Sequence, residues 1–202
     1  MAYHKVFNTF WFTPTRTATR STSEIRNFFK FKDTGHHPPT DDIGSDYYFV
    51  SSFRNPYPRA VSMFNLIYGF NPTKNHTNFK KFVEKKILAE KKGLNYVIDF
   101  NIIKITTIFD LLERAPDYLV KTENLLEDIK NLFFVKSELE NPQLQNIIEN
   151  NIVKNGYSNE FGKKPHWMEH YDEETANMIY DYAQQDFILG NYNKDSWKDV
   201  TS

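Results

Sequence analysis

The sequence predicts an α/β domain built on a central, mainly parallel sheet flanked by helices. Three observations carry that reading. Short runs rich in aromatic and β-branched residues, at 4–12, 47–53 and 117–122, alternate with stretches whose apolar residues recur at helical spacing. The run 47–53 (YYFVSSF) is apolar with little alternation, as in a strand covered on both faces. At 202 residues, with 40% hydrophobic and 16% aromatic side chains, the chain has the bulk for one core, and the expectation is a single domain over 1–202.

Taken in order, 4–12 (HKVFNTFWF) reads as one strand, followed by the turn-like segment 13–22. Ile25, Phe28 and Phe29 then mark a short helix, and 35–44, with paired prolines and a glycine at each end, reads as loop. After the strand 47–53, Asn55 suits a helix N-cap and Pro56 the first helical position. Val61, Phe64 and Tyr68 form that helix's inner stripe, with Gly69 as its stop. A helix over 79–92 places Phe79, Phe82, Val83 and Ile87 opposite a lysine-rich face. Residues 117–122 read as a strand, and 125–133 and 142–153 as helical. Asp172 caps a last helix with Ile179, Ala183 and Phe187 inside and Gly190 at its end.

Composition narrows function. Lys+Arg 25 against Asp+Glu 26 leaves a net charge of −1, which speaks against a globally basic nucleic-acid binder. The absence of cysteine removes disulfides, thiolate metal sites and cysteine nucleophiles. No stretch approaches 18 apolar residues, and the N-terminal segment lacks the apolar run of a signal peptide. The expectation is a cytoplasmic protein without a membrane span.

In an open α/β sheet, ligands bind beyond the carboxyl ends of the strands, which directs attention to 13–22 and to Arg54. The first segment offers small residues, five hydroxyls (Thr15, Thr17, Thr19, Ser21, Thr22) and two arginines (Arg16, Arg20) ahead of a helix. That chemistry suits an anion, although an ordinary Ser/Thr-rich turn looks much the same. It is not a Walker A loop: the single Gly-Lys pair is Gly162-Lys163. In 49–62 (FVSSFRNPYPRAVS), Arg54 offers a planar fork of donors, and Ser62 stands two turns into the next helix.

Together these segments resemble the cofactor site of the sulfotransferases that use 3′-phosphoadenosine 5′-phosphosulfate (PAPS), nearest the carbohydrate (Golgi-type) and related soluble branches. Pro14-Thr15-Arg16-Thr17-Ala18-Thr19-Arg20-Ser21-Thr22 is similar to the family's P-K/R-T-G-T-R-S. It departs from it in the extra Thr15 and in Ala18, where glycine is usual. Arg54-Asn55-Pro56-Tyr57-Pro58-Arg59-Ala60-Val61-Ser62 meets R-N-P-x-x-R-x-V-S at every fixed place. Tyr118 to Leu125 resembles the family's strand ending in Glu-Asn-Leu. Tyr171-Asp172-Glu173-Glu174-Thr175 through Tyr182, Asp186-Phe187 and Tyr192 resembles its closing helix. Residues 70–116 resemble no family segment, and the expectation is a helical, acceptor-side segment.

The resemblance implies a P-loop-like sulfotransferase fold and transfer of a sulfuryl group from PAPS to an acceptor hydroxyl, in all expectation a carbohydrate's, leaving PAP and needing no metal. It implies that Arg16 meets charge on the departing phosphate. Thr17, Ala18, Thr19, Arg20, Ser21 and Thr22 would hold the 5′-phosphosulfate, and Arg54 and Ser62 the 3′-phosphate, with Lys163 and Lys164 as late basic contacts. His37 is the implied base, with His36, Asp42 and Glu123 as alternatives. Lacking the Golgi enzymes' anchor, the chain would be a bacterial or virus-encoded soluble member. Two other readings compete: an ATP-dependent phosphotransferase, and a non-catalytic nucleotide- or glycan-binding relative.

Other signals point elsewhere. His166-Trp167-Met168-Glu169-His170 fits H-x-x-E-H, a zinc-peptidase pattern that requires an α-helix; Pro165 and the Asp172 cap place it in a loop or short turn. Lys80, Lys81, Lys85, Lys86, Lys91 and Lys92 against Glu84 and Glu90 suit either a solvated face or the steering of an acidic glycan. Tyr47, Tyr48, Tyr57 and Tyr68 are either core or sugar-stacking platforms.

Overall fold

The computed structural model describes residues 1–14, 16–34, 46–68, 76–91, 108, 112, 114–153 and 166–198. In chain order the elements are β1 (Ala2–His4), β2 (Thr9–Phe12), α1 (Thr19–Phe28), β3 (Lys32–Asp33), β4 (Tyr48–Phe53), α2 (Pro56–Tyr68) and α3 (His76–Lys91). Then follow β5 (Tyr118–Lys121), α4 (Leu125–Asn131), α5 (Phe133–Lys136), α6 (Pro142–Ile148), α7 (Glu173–Tyr182) and α8 (Gln184–Gly190). The chain divides into two compact units, 1–54 with 114–158, and 55–113 with 159–202.

The first unit is α/β. Its described strands form one five-stranded sheet in the order β3-β1-β2-β4-β5. The sheet is mixed rather than mainly parallel. β2–β4 and β4–β5 are parallel, but β1 runs antiparallel to both β2 and β3. The expected single strand over 4–12 is a hairpin. Lys5–Asn8 turn the chain, with Asn8 at φ 45° and its N–H donating to the Lys5 carbonyl. Asparagine tolerates this left-handed conformation better than most residues. β2 and β4 are the buried strands, and the Trp11 indole N–H donates to Ser52 Oγ at 3.0 Å between them. Trp11, Ile25, Val50, Val120, Ile129, Leu132, Phe134 and Leu144 centre the core. Phe7, Phe29 and Phe31 surround Phe134 with ring centroids 5.1–5.4 Å away. Asn141 caps α6, its Oδ1 accepting from the Gln143 and Leu144 N–H groups, with Pro142 in the first turn. The helix expected over 142–153 continues from α6 as a π-helical turn, Glu149–Val153.

The second unit is helical as far as it is described. Asn55 opens α2 as expected, its Oδ1 accepting from Tyr57 N–H at 3.0 Å. Tyr57, Phe64, Phe79, Phe82, Tyr171, Ile179 and Phe187 form its core. Asp172 caps α7 through the Thr175 N–H at 2.7 Å. The expected final helix is two, α7 and α8, broken at Ala183 (φ −113°, ψ 27°); with neither glycine nor proline there, nothing local marks the break. Gly190 is the last helical residue and Asn191 (φ 51°) takes the left-handed exit. HWMEH forms a 3₁₀ helix, with the His170 ring buried against Phe64 and Phe79. Tyr57 is core, whereas Tyr68, read as part of the inner stripe, is 49% exposed. Among the described residues no helix is long and apolar enough to cross a membrane.

Candidate functional site

The three parallel strands β2, β4 and β5 end on the same edge of the sheet. The register pairs Phe12 with Ser51 and Phe53 with Lys121, so the residues that follow are neighbours by construction. Those residues are the loop into α1, Arg54, and Thr122-Glu123-Asn124. The last three form a 3₁₀ turn in which the Thr122 hydroxyl donates to the Phe53 carbonyl at 3.0 Å. Asp128, at the start of α4, accepts from Lys121 N–H at 2.7 Å; burial pushes its carboxyl above the ordinary value, opposed by that hydrogen bond.

The loop into α1 is bent by two left-handed residues, Arg16 at φ 70° and Ala18 at φ 61°. Alternating backbone handedness curls successive N–H groups toward one side, the geometry of an anion-binding concavity. Ala18 is the N-cap residue of α1 and makes no side-chain capping hydrogen bond, and the first turn carries no acidic residue. The positive end of the helix is therefore not neutralised by a carboxylate of its own first turn. The Ala18 methyl packs against the apolar core of this unit, which accommodates a side chain where the resembled motif has glycine.

Arg54 joins the loop. Its Nη1 donates to the Arg16 carbonyl at 3.5 Å, bringing the end of β4 and the loop after β2 together. The hydroxyls divide into two sets. Thr17 is fully buried and donates to the Pro14 carbonyl at 2.6 Å, and Thr22 is buried with its hydroxyl on the Ala18 and Thr19 carbonyls. These two fasten the loop. Thr19 and Arg20 are exposed and Ser21 is half-buried. Ser62 lies on α2 in the second unit and is buried. Thr15, His36, His37, Asp42, Lys163 and Lys164 lie outside the described residues.

Composition and spacing did not single out Arg59 and Asp186 as a pair. Within the second unit, Arg59 Nη1 lies 3.9 Å from Asp186 Oδ2, and both side chains are buried. Asp186 also accepts from the Ile108 N–H at 2.8 Å. Asn55 donates from Nδ2 to Ser196 Oγ at 3.0 Å, and the Tyr57 hydroxyl donates to the Lys194 carbonyl at 2.7 Å. The Tyr171 hydroxyl donates to the Tyr57 carbonyl at 2.8 Å. The R-N-P segment and the closing segment, read separately in the sequence, are thus stitched to one another. The available signal was a charge on each of two apolar helix faces, Arg59 beside Ala60 and Val61, and Asp186 beside Phe187.

At the opposite end of β4, Arg114 and Asp117 form a latch. Arg114 Nη2 donates to the Tyr47 carbonyl at 2.6 Å and to Asp117 Oδ2 at 2.9 Å, and Asp117 Oδ2 also accepts from Phe49 N–H at 2.7 Å. The Arg114 hydrogen bond holds the Asp117 carboxyl below its ordinary value. Compared with known proteins, the chain matches no family model, no curated protein and no solved structure.

Proposed function

We propose that this protein is a PAPS-dependent sulfotransferase with a P-loop-like donor site, acting on an acceptor hydroxyl, carbohydrate first among the acceptor classes. One observation carries the reading: a left-handed loop leads from a parallel strand into a helix start free of first-turn acids, with the Arg54 guanidinium tied to its backbone. The donor set fits a phosphosulfate. First-turn N–H groups of α1 and the Arg16 and Arg54 guanidinium groups are suited to an anion with several oxygens.

PAPS, when bound, supplies a sulfuryl group on a phosphate leaving group. The acceptor oxygen forms a bond to sulfur as the bond from sulfur to the bridging phosphate oxygen breaks; the acceptor proton passes to a base and PAP departs. Arg16 stabilises negative charge growing on the departing phosphate, and the α1 N-terminus holds the phosphate in line. That is catalysis by position and electrostatics. The motif resemblance gives Arg54 and, separately, Ser62 as contacts of the 3′-phosphate, and His37 or His36 as the base.

The test is thermal melting of the full chain with PAP, with ATP, and with Arg54→Ala as control. A ligand at about 100 times its Kd adds roughly 2.7 kcal/mol. For a chain of this size that is about 5–10 °C. A rise with PAP, much smaller with ATP and lost in Arg54→Ala, supports the reading and opens an acceptor screen. A rise with ATP alone favours the ATP-dependent phosphotransferase reading. A PAP shift without turnover on any acceptor favours a binding relative, and no shift with PAP defeats the proposal.

A further inference from the structure

In the second unit, among the described residues, α2 and α3 frame a pocket of about 310 Å³ lined by Phe64, Tyr68, Asn78, Lys81, Phe82 and Lys85. The sequence dictates its lining. Phe64 and Tyr68 are one turn apart on α2, and Asn78, Lys81, Phe82 and Lys85 fall at i, i+3, i+4 and i+7 on one face of α3. The floor is aromatic: the Phe64 and Tyr68 rings lie 5.2 Å apart, and Tyr68 meets Phe82 edge-on at 6.1 Å. Phe64 and Phe82 are buried, so Tyr68 is the exposed ring of the three.

The rim is cationic. Lys81 and Lys85 are both exposed, and no carboxylate is among the described lining residues. Lys80, by contrast, is paired with Glu174. Like charges one turn apart on a helix repel. A bound anion between Lys81 and Lys85 relieves that repulsion.

We propose that this pocket binds one or two residues of an acidic saccharide, a sugar carrying a carboxylate or sulfate. The apolar face of the ring stacks on Tyr68, the anionic group sits between Lys81 and Lys85, and the Asn78 amide, both donor and acceptor, serves ring hydroxyls. The volume is at the small end for ligand sites, roughly 300–1,000 Å³, which suits a short saccharide rather than a folded partner. The inference stands on the second unit alone and is independent of the donor reading.

Calorimetric titration of the full chain decides it, using a uronate-containing chondroitin tetrasaccharide, a neutral maltotetraose and inorganic tripolyphosphate. The expected result is binding of the acidic tetrasaccharide, at least tenfold weaker binding of the neutral one, and weak binding of tripolyphosphate. Lys81→Gln with Lys85→Gln, and separately Tyr68→Ala, each reduce the acidic tetrasaccharide's affinity at least tenfold. Both variants keep the wild-type melting curve to within a few degrees, and any PAP-induced shift of the wild type is retained. Equal affinity for maltotetraose, tripolyphosphate binding as tightly as the tetrasaccharide, no tetrasaccharide binding, or affinity unchanged in Tyr68→Ala overturns it.

Discussion

Asp186→Ala is expected to be the most damaging single change in the second unit that removes no large apolar group. The carboxylate is 1% exposed, and its partners among the described residues include Arg59 Nη1 at 3.9 Å and the Ile108 N–H at 2.8 Å. Arg59 itself is 5% exposed. Truncation leaves a buried guanidinium without its carboxylate, a change of about 3–5 kcal/mol for buried pairs. It also removes the acceptor of a buried N–H, worth roughly 1–3 kcal/mol. The two overlap, because both arise from one desolvated site, so the expected total is about 3–5 kcal/mol. At about 2–4 °C per kcal/mol for a chain of this length, the melting point falls by roughly 6–20 °C. Differential scanning calorimetry measures it, with Asp186→Asn alongside. The amide keeps one acceptor oxygen for the Ile108 N–H while losing the charge and turning the other oxygen into a donor, so it falls by less than alanine. A drop under about 1 kcal/mol in Asp186→Ala would refute the premise that the pair is desolvated and mutually dependent.

Three further predictions concern backbone, cap and charge. Ala18→Gly removes a left-handed penalty of about 1–2 kcal/mol but frees the unfolded chain by about 0.4–1 kcal/mol, so the melting point rises slightly or stays level; Ala18→Val, branched at Cβ, lowers it, and equal falls in both would contradict the left-handed loop. Asp172→Ala deletes the α7 cap and lowers stability by about 1 kcal/mol, read as a fall of roughly 2–4 °C; no fall would show that Thr175 N–H finds another partner. Asp117 has its carboxyl lowered from the ordinary 3.8 by the Arg114 hydrogen bond, so its contribution is complete above that value and disappears as pH falls through the lowered one. With a side chain 40% exposed it amounts to less than about 1 kcal/mol; melting points of wild type and Asp117→Asn should differ at pH 7 and draw together as the pH is taken into the acid range below the ordinary carboxylate value.

Much of the fold was legible because its signals are local. Asn55-Pro56 and Asp172 announce helix starts through their own capping chemistry, and 47–53 announces a buried strand by its unbroken apolarity. The first hairpin was hidden for the opposite reason. Val6 and Phe7 read as strand, and the turn rests on the left-handed conformation of Asn8 and on local hydrogen bonds such as Phe7 N–H to His4 Nδ1. β1 thereby pairs antiparallel on both sides and makes the sheet mixed, which alternation of strands and helices does not encode. α1 begins at Thr19, ahead of its apolar periodicity, and that start was not legible because Thr and Ser, as weak helix formers, read as turn. At the candidate site, the meeting of Arg54 with the 16–18 backbone follows from parallel pairing of β2 and β4 and was legible once those strands were. The Arg59–Asp186 pair was not, since only tertiary contact reveals which distant charges share one dry site.

The first unit is assembled from two separate stretches of chain. β4 pairs with β5 across an interval of roughly 65 residues, most of which (55–113) belong to the other unit. On a ribosome moving at about 5–20 residues per second, β5 follows β4 by roughly 3–13 s. During that interval the apolar strand 48–53 has one ladder edge open, and the core residues Val120, Ile129, Leu132 and Phe134 have not yet been made. An open apolar edge is a template for pairing with another chain. Recovery of native protein from expression should therefore rise when synthesis of 118–134 is hastened or when nascent chains are kept apart, without any change in the stability of the finished fold.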